Sequence, residues 1–212
     1  MSEEEFKFKI VFVGDTTVGK TSLIHRFLNL DPVNASTTGA TSTRAETQID
    51  GKTVVLNVWD TAGQETFRNL VPIYAKGSHA AIIVFDQSNP QTYEHVDGWY
   101  NYIREQVGDR TIICLAANKS DLPPAVPTEK ALSWAAEHNV EMMRTSATDG
   151  TNVETLFETV SRLLVQQNEK LMKEEAERKK RDAENSNQVN IAGDDYKNSK
   201  KKDDKKKDNC CN

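Results

Sequence analysis

A lysine and a hydroxyl stand side by side behind two spaced glycines in Gly14-Asp15-Thr16-Thr17-Val18-Gly19-Lys20-Thr21, which fits G-x-x-x-x-G-K-[ST]. Glycines let successive backbone N–H groups curl around phosphate oxygens. Lys20 can then reach the β and γ oxygens, Thr21 can ligate Mg2+, and a helix opening near Ser22 adds its positive end. A nucleoside triphosphate is the ligand this chemistry suits. Three further sets of residues extend it. Asp60-Thr61-Ala62-Gly63-Gln64 offers an acid able to hold Mg2+ through water, a glycine N–H for the γ-phosphate and a glutamine for an attacking water. Asn118-Lys119-Ser120-Asp121 offers a carboxylate that accepts from guanine N1–H and the 2-amino group, a donor pair adenine lacks, with Asn118 contacting N7 and steadying the loops. In Thr145-Ser146-Ala147 a backbone N–H can meet guanine O6. Taken singly these sets are common, since Asp-x-x-Gly is mostly turn chemistry and Asn-Lys-x-Asp a frequent surface loop. Four in order are hard to obtain by accident when each follows a strand.

The elements that must position them are visible in the apolar periodicity. Phe6, Phe8 and Ile10 alternate with Lys7 and Lys9 before a wholly apolar run to Val13, as in a strand buried on both faces at its far end. Leu23, Ile24, Phe27 and Leu28 mark a helix packed on a sheet. Residues 29–42 show no helical period and read as a long loop, which in a compact domain is usually functional. Thr43 to Ile49, the turn Asp50-Gly51 and Thr53 to Trp59 form the one hairpin signal. The runs Ala80 to Phe85, Thr111 to Ala117 and Val140 to Met143 alternate with helical stretches and should therefore be parallel strands. The fold class is α/β: a doubly wound, six-stranded, mostly parallel sheet with one antiparallel edge strand and five helices, occupying residues 1–168. Ligands of such sheets bind at the strand C-terminal ends, where all four motifs fall.

Composition narrows the setting. The 212 residues are 28% charged and 37% hydrophobic, and no run approaches the roughly 18 apolar residues a membrane span needs. Three cysteines suit a reducing compartment, so the chain is expected in the cytosol. The net charge of −5 divides unevenly, because residues 169–212 hold 13 Lys and Arg against 11 Asp and Glu, leaving −7 on residues 1–168. That acidic body excludes nucleic acid as an expected partner.

With these motifs on the page, the sequence resembles a small GTPase of the Ras superfamily, and in particular the Rab family. The likeness runs from residue 6 to about 168 through GDTTVGKT, WDTAGQE, NKSD and TSA, includes Thr66 to Leu70 and Tyr74 to Ser78, and returns in Cys210-Cys211-Asn212. It implies a GTP/GDP switch in vesicle traffic with Mg2+ as cofactor. The expected partners are an exchange factor, an activating protein, effectors and a soluble chaperone that shields the lipids, with the protein itself a monomer. Thr37 is the choice for a second Mg2+-ligating hydroxyl, with Thr38 in competition, and Lys119 would lay its aliphatic stem against the base. The loops at 31–42 and 61–77 would relax once the γ-phosphate is lost. The chain also departs from its relatives. Ser42 stands where they carry a phenylalanine, no aromatic lies between Leu28 and Val58 to meet the guanine edge, and Thr16 and Thr17 replace smaller phosphate-loop residues. A small-molecule P-loop kinase is the rival enzyme, but no lid segment is evident; a GTP-binding scaffold with negligible hydrolysis is the rival from another class.

Beyond residue 168 the apolar stripe ends, yet Glu169/Lys173, Glu174/Arg178, Glu175/Lys179 and Glu177/Arg181 are favourable i, i+4 pairs. Each adds about 0.2–0.5 kcal/mol, so a charged helical extension is expected over 169–184. From Asn185 the composition is that of a disordered tail. Lys197 to Asp208 carries seven lysines against three aspartates, next to Cys210 and Cys211. Residue 209 is Asn, so the terminus is not C-a-a-X; paired terminal cysteines resemble the Rab signal for double geranylgeranylation, with a free or palmitoylated pair as the other reading. Two lipids beside a basic patch would hold an anionic membrane firmly, placing the protein on the cytosolic face of an intracellular membrane.

Overall fold

The computed structural model describes the backbone at residues 5–32, 37, 39–62 and 71–203, and side chains as far as residue 182. The chain divides into two compact units, Met1–Val165 and Gln166–Asn212. In the first, strands β1 (Glu5–Val13), β2 (Ala40–Ile49), β3 (Lys52–Thr61), β4 (Ala80–Asp86), β5 (Ile112–Asn118) and β6 (Glu141–Arg144) form one sheet in the order β2-β3-β1-β4-β5-β6. Only β2 is antiparallel, and it lies at the edge. Helices α1 (Lys20–Phe27), α2 (Val71–Ala75), α3 (Pro90–Glu94), α4 (Val96–Val107), α5 (Thr128–Glu137) and α6 (Val153–Asp203) complete the set. A single residue, His95, separates α3 from α4. Counted as one broken helix they bring the number among the described residues to the expected five.

Alternation along the strands explains the two helical layers. In β4, Ala80, Ile82 and Val84 point into one core with Leu23 and Ile24 of α1 and Leu156, Phe157 and Val160 of α6. Ala81, Ile83 and Phe85 point into the other, with Val71, Tyr93, Val96, Trp99, Ile103 and Trp134. A strand buried on both faces needs helices on both faces. Phe157 is fully buried and its ring stacks on Phe27 at 3.8 Å, joining α6 to α1. Truncating such a side chain costs about 3–5 kcal/mol.

Two boundaries differ from the sequence reading. The loop expected to reach residue 42 ends earlier, because β2 begins at Ala40 and pairs Ala40 with Thr61 and Ser42 with Trp59. The pairing is started by Gly39, at φ 84°, whose carbonyl accepts from Ala62 N at 2.8 Å. Ladder hydrogen bonds outweigh the weak strand propensity of Ala-Thr-Ser. At the other end of the hairpin, Asp50 at φ 51° and Gly51 at φ 78° form the expected two-residue turn. The second difference is in α6, whose helical backbone passes the limit near Glu184 and continues to Asp203. Its packed stripe ends at Val165, slightly ahead of the expected boundary at 168; in the second unit Leu171 and Met172 are exposed. No proline follows Pro127 to block the helix.

Candidate functional site

The phosphate loop joins β1 to α1 at the C-terminal edge of the sheet. Its two glycines are required by space as well as by φ. Gly14 has φ 137°, and a Cβ there would fall on the Val84 carbonyl; Gly19 has φ 98°, and a Cβ there would fall on the Asn118 amide. The loop thus sits directly on the ends of β4 and β5. Val18, fully buried, pins it to the core while Thr16 and Thr17 face solvent. Lys20 opens α1 and turns back over the loop, its Nζ donating to the carbonyls of Gly14 at 2.9 Å and Asp15 at 2.7 Å. Burial pulls the Lys20 ammonium down to about 8, against the opposing pull of the Asp60 and Asp15 charges. A cation held in that dry position suits a phosphate oxygen.

Beside it lies an oxygen cluster. Thr21 Oγ1 donates to Asp60 Oδ2 at 2.5 Å, Thr37 Oγ1 donates to the same oxygen at 3.2 Å, and the two hydroxyls stand 2.7 Å apart. Asp60 Oδ1 is buried without a partner. Burial raises the Asp60 carboxyl above its ordinary value, partly offset by Thr21, Lys20, Thr37 and His25. Two hydroxyls, a carboxylate and an orphaned buried acceptor are a hard-oxygen donor set, which fits Mg2+. Among the described residues no group of three or more His, Cys, Asp or Glu forms a rival metal site. Thr37 therefore stands where a second ligating hydroxyl is wanted; Thr38 lies outside the described residues.

The residues expected to read the base are tied together. Asn118, at the end of β5, donates from Nδ2 to the Val18 carbonyl at 2.8 Å and accepts from Thr145 Oγ1 at 3.3 Å. Asp121 Oδ1 accepts from Ser146 Oγ at 2.6 Å. Ser120 N donates to the Thr145 carbonyl, and the Ser146 hydroxyl also accepts from the N–H groups of Thr148 and Asp149, both at 3.2 Å. Ala147 follows, half-buried. Lys119, at φ 63°, pairs through Nζ with Asp86 Oδ2 at 2.7 Å. Burial would raise Asp86, but Lys119 and Ser88 prevail and hold its carboxyl below the usual range. Gln87 completes the brace, its Nε2 donating to the Leu122 carbonyl and its Oε1 accepting from Arg144 Nε.

Sequence reasoning missed some of this. Asp86 ends β4 and Gln87 follows it, at the same sheet edge as the motifs, a positional signal that was available. The Asp15 side chain does not enter the nucleotide cradle. It turns to the α3–α4 junction, where Oδ2 meets His95 Nδ1 at 2.6 Å and Oδ1 accepts from Trp99 Nε1 at 2.8 Å. No local spacing announces a contact across some eighty positions. Gly63, Gln64, Cys210 and Cys211 lie outside the described residues.

A family model described as the Ras family matches residues 9–166. That span covers the phosphate loop, the oxygen cluster and the loops carrying Asn118 to Asp121 and Thr145 to Ala147.

Proposed function

The chain belongs to the Ras family, and from that premise we propose that it is a Rab-type GTPase, a GTP/GDP switch that serves membrane traffic. The observation that carries the guanine assignment is Asp121, oriented by Ser146 next to an amide, Asn118, that also holds the phosphate loop. A site built around a hydrogen-bonding carboxylate rejects a base without the matching donors. Lys20 and the loop N–H groups bind and orient the phosphates. Thr21, Thr37 and Asp60 would hold Mg2+, which when bound supplies charge neutralisation between the β- and γ-phosphates. Gln64 orients the attacking water, so GTP and water give GDP and phosphate slowly until an activating protein assists. Loss of the γ-phosphate releases the loops around Thr37 and Gln64, and effectors, an exchange factor and a lipid-shielding chaperone read the difference.

The anchor in this proposal is geranylgeranylation of Cys210 and Cys211, with the lysines ahead of them selecting an anionic cytosolic leaflet. Each buried methylene is worth about 0.8 kcal/mol and each lysine near the surface about 1 kcal/mol, so the lipids decide binding and the lysines its preference. Replacing both cysteines by Ser should move the protein to the soluble fraction with GDP affinity unchanged. Recovery in the membrane fraction with an unmodified terminal mass refutes the anchor.

The central test is single-turnover hydrolysis on the full chain. GTP should bind, ATP should not compete, and Gln64→Leu should retain GTP while slowing its hydrolysis. A second reading, a binding scaffold with negligible hydrolysis, draws on the exposed Thr16 and Thr17 beside the phosphate cradle. It predicts no phosphate release even with activating protein from relatives, and recovery of release in Thr16→Gly.

A further inference from the structure

The two ends of Asp15 do different work. Its main-chain carbonyl accepts from Lys20 Nζ at 2.7 Å, inside the nucleotide cradle. Its carboxylate reaches away from the cradle, with Oδ2 on His95 Nδ1 at 2.6 Å and Oδ1 on Trp99 Nε1 at 2.8 Å. Both partners sit on rigid ground. Asn89 caps α3 by accepting from Gln91 N at 3.2 Å, with Pro90 in the first turn, so the approach to His95 is fixed. The backbone N–H of Trp99 donates to the His95 carbonyl at 3.0 Å, and its ring is 4% exposed in the core beneath α4. The rest of the loop is held from within by Val18 and by Asn118 on the Val18 carbonyl. Its first half, where Thr16 and Thr17 face solvent, is braced from outside by these two hydrogen bonds.

We propose that His95 and Trp99 are positioning residues for the phosphate loop: through the Asp15 carboxylate they fix the Asp15 peptide that orients Lys20, and so they set how slowly GDP leaves. The inference rests on the nucleotide-site reading above and adds two residues that lie outside the cradle. Cutting the brace leaves Lys20 with a mobile acceptor in place of a fixed one, and preorganisation for the phosphates is lost. Each arm acts through the same carboxylate, so their effects cannot be independent.

The test is release of a fluorescent GDP analogue from the full chain, chased with excess GDP in the presence of Mg2+. His95→Ala, Trp99→Phe and Asp15→Ala should each speed release by about three- to tenfold, the worth of one hydrogen bond. His95→Ala combined with Asp15→Ala should be no faster than Asp15→Ala alone. His95→Asn, whose amide nitrogen takes roughly the place of Nδ1, should return release toward the wild-type rate, which a general loosening of the fold would not do. If Trp99→Phe unfolds, the exposed His95 ring still decides the matter. Wild-type release from His95→Ala, or full multiplication of the effect in the Asp15→Ala background, overturns the brace while leaving nucleotide binding intact. A wild-type chain that takes up no labelled GDP overturns the nucleotide reading and this inference together.

Discussion

The two ends of the site are held differently. At the base end, Asp121, Asn118 and Asp86 each have partners within the protein, and Lys119 is fixed by an ion pair. At the phosphate end, Asp60 keeps a buried oxygen without a partner, and its other oxygen is crowded by two hydroxyls 2.7 Å apart. A buried carboxylate oxygen without a donor is an acceptor that a bound cation would satisfy. The base end is held by partners within the protein; the phosphate end keeps an acceptor that a cation could use. Under the proposed function, recognition would belong to the braced end and switching to the other.

The largest effect that would break this contrast lies at the base end. Asp121→Asn should erase a GTP-over-ATP preference of about 10⁴ and favour a xanthine nucleotide, whose 2-oxo group suits an amide donor; competition titration reads both. At the other end, Asp60→Ala should remove about a hundredfold of the Mg2+-dependent gain in GDP affinity while leaving guanine preference in place. Acidification sharpens the comparison. The Asp60 carboxyl is raised by burial, so protons compete with Mg2+ above the ordinary carboxylate range, and apparent Mg2+ affinity should fall by up to about tenfold per pH unit below that raised value. Asp86 is held low despite burial, so the Asp86–Lys119 contribution is present above the usual range and is lost only as pH falls through the depressed value. The Asp86–Lys119 pair should consequently outlast Mg2+ dependence as pH is lowered, the latter measured by GDP release with and without chelator. The smallest expected effect is at Thr17, a β-branched residue at φ 61°. Thr17→Gly should stabilise the protein by about 1 kcal/mol in thermal unfolding, with base selectivity unaltered.

Much of the base end was legible in the sequence because its residues are contiguous and leave strands: Asn118 ends β5, and Asp121 follows three positions later. The Lys20–Thr21 pair was legible for the same reason. The Ser146 hydroxyl on Asp121 was not, since the motif argument looked only for a backbone N–H there. The direction of the Asp15 carboxylate depends on a helix junction eighty residues away, which no local pattern encodes. The early start of β2 was hidden because Ala40 and Thr41 gain their strand character from β3 and not from their own preferences.

The amide of Asn118 has a kinetic consequence. It fixes the base loops and the phosphate loop at one separation by holding the Val18 carbonyl at 2.8 Å. A guanine nucleotide bound as proposed would be a bivalent ligand on a two-point receptor. When one end lets go, the other keeps it over its own loop at an effective concentration on the order of millimolar, and recapture competes with escape. Two modest grips would then behave as one tenacious one, and prying the loops apart at Asn118 would speed release.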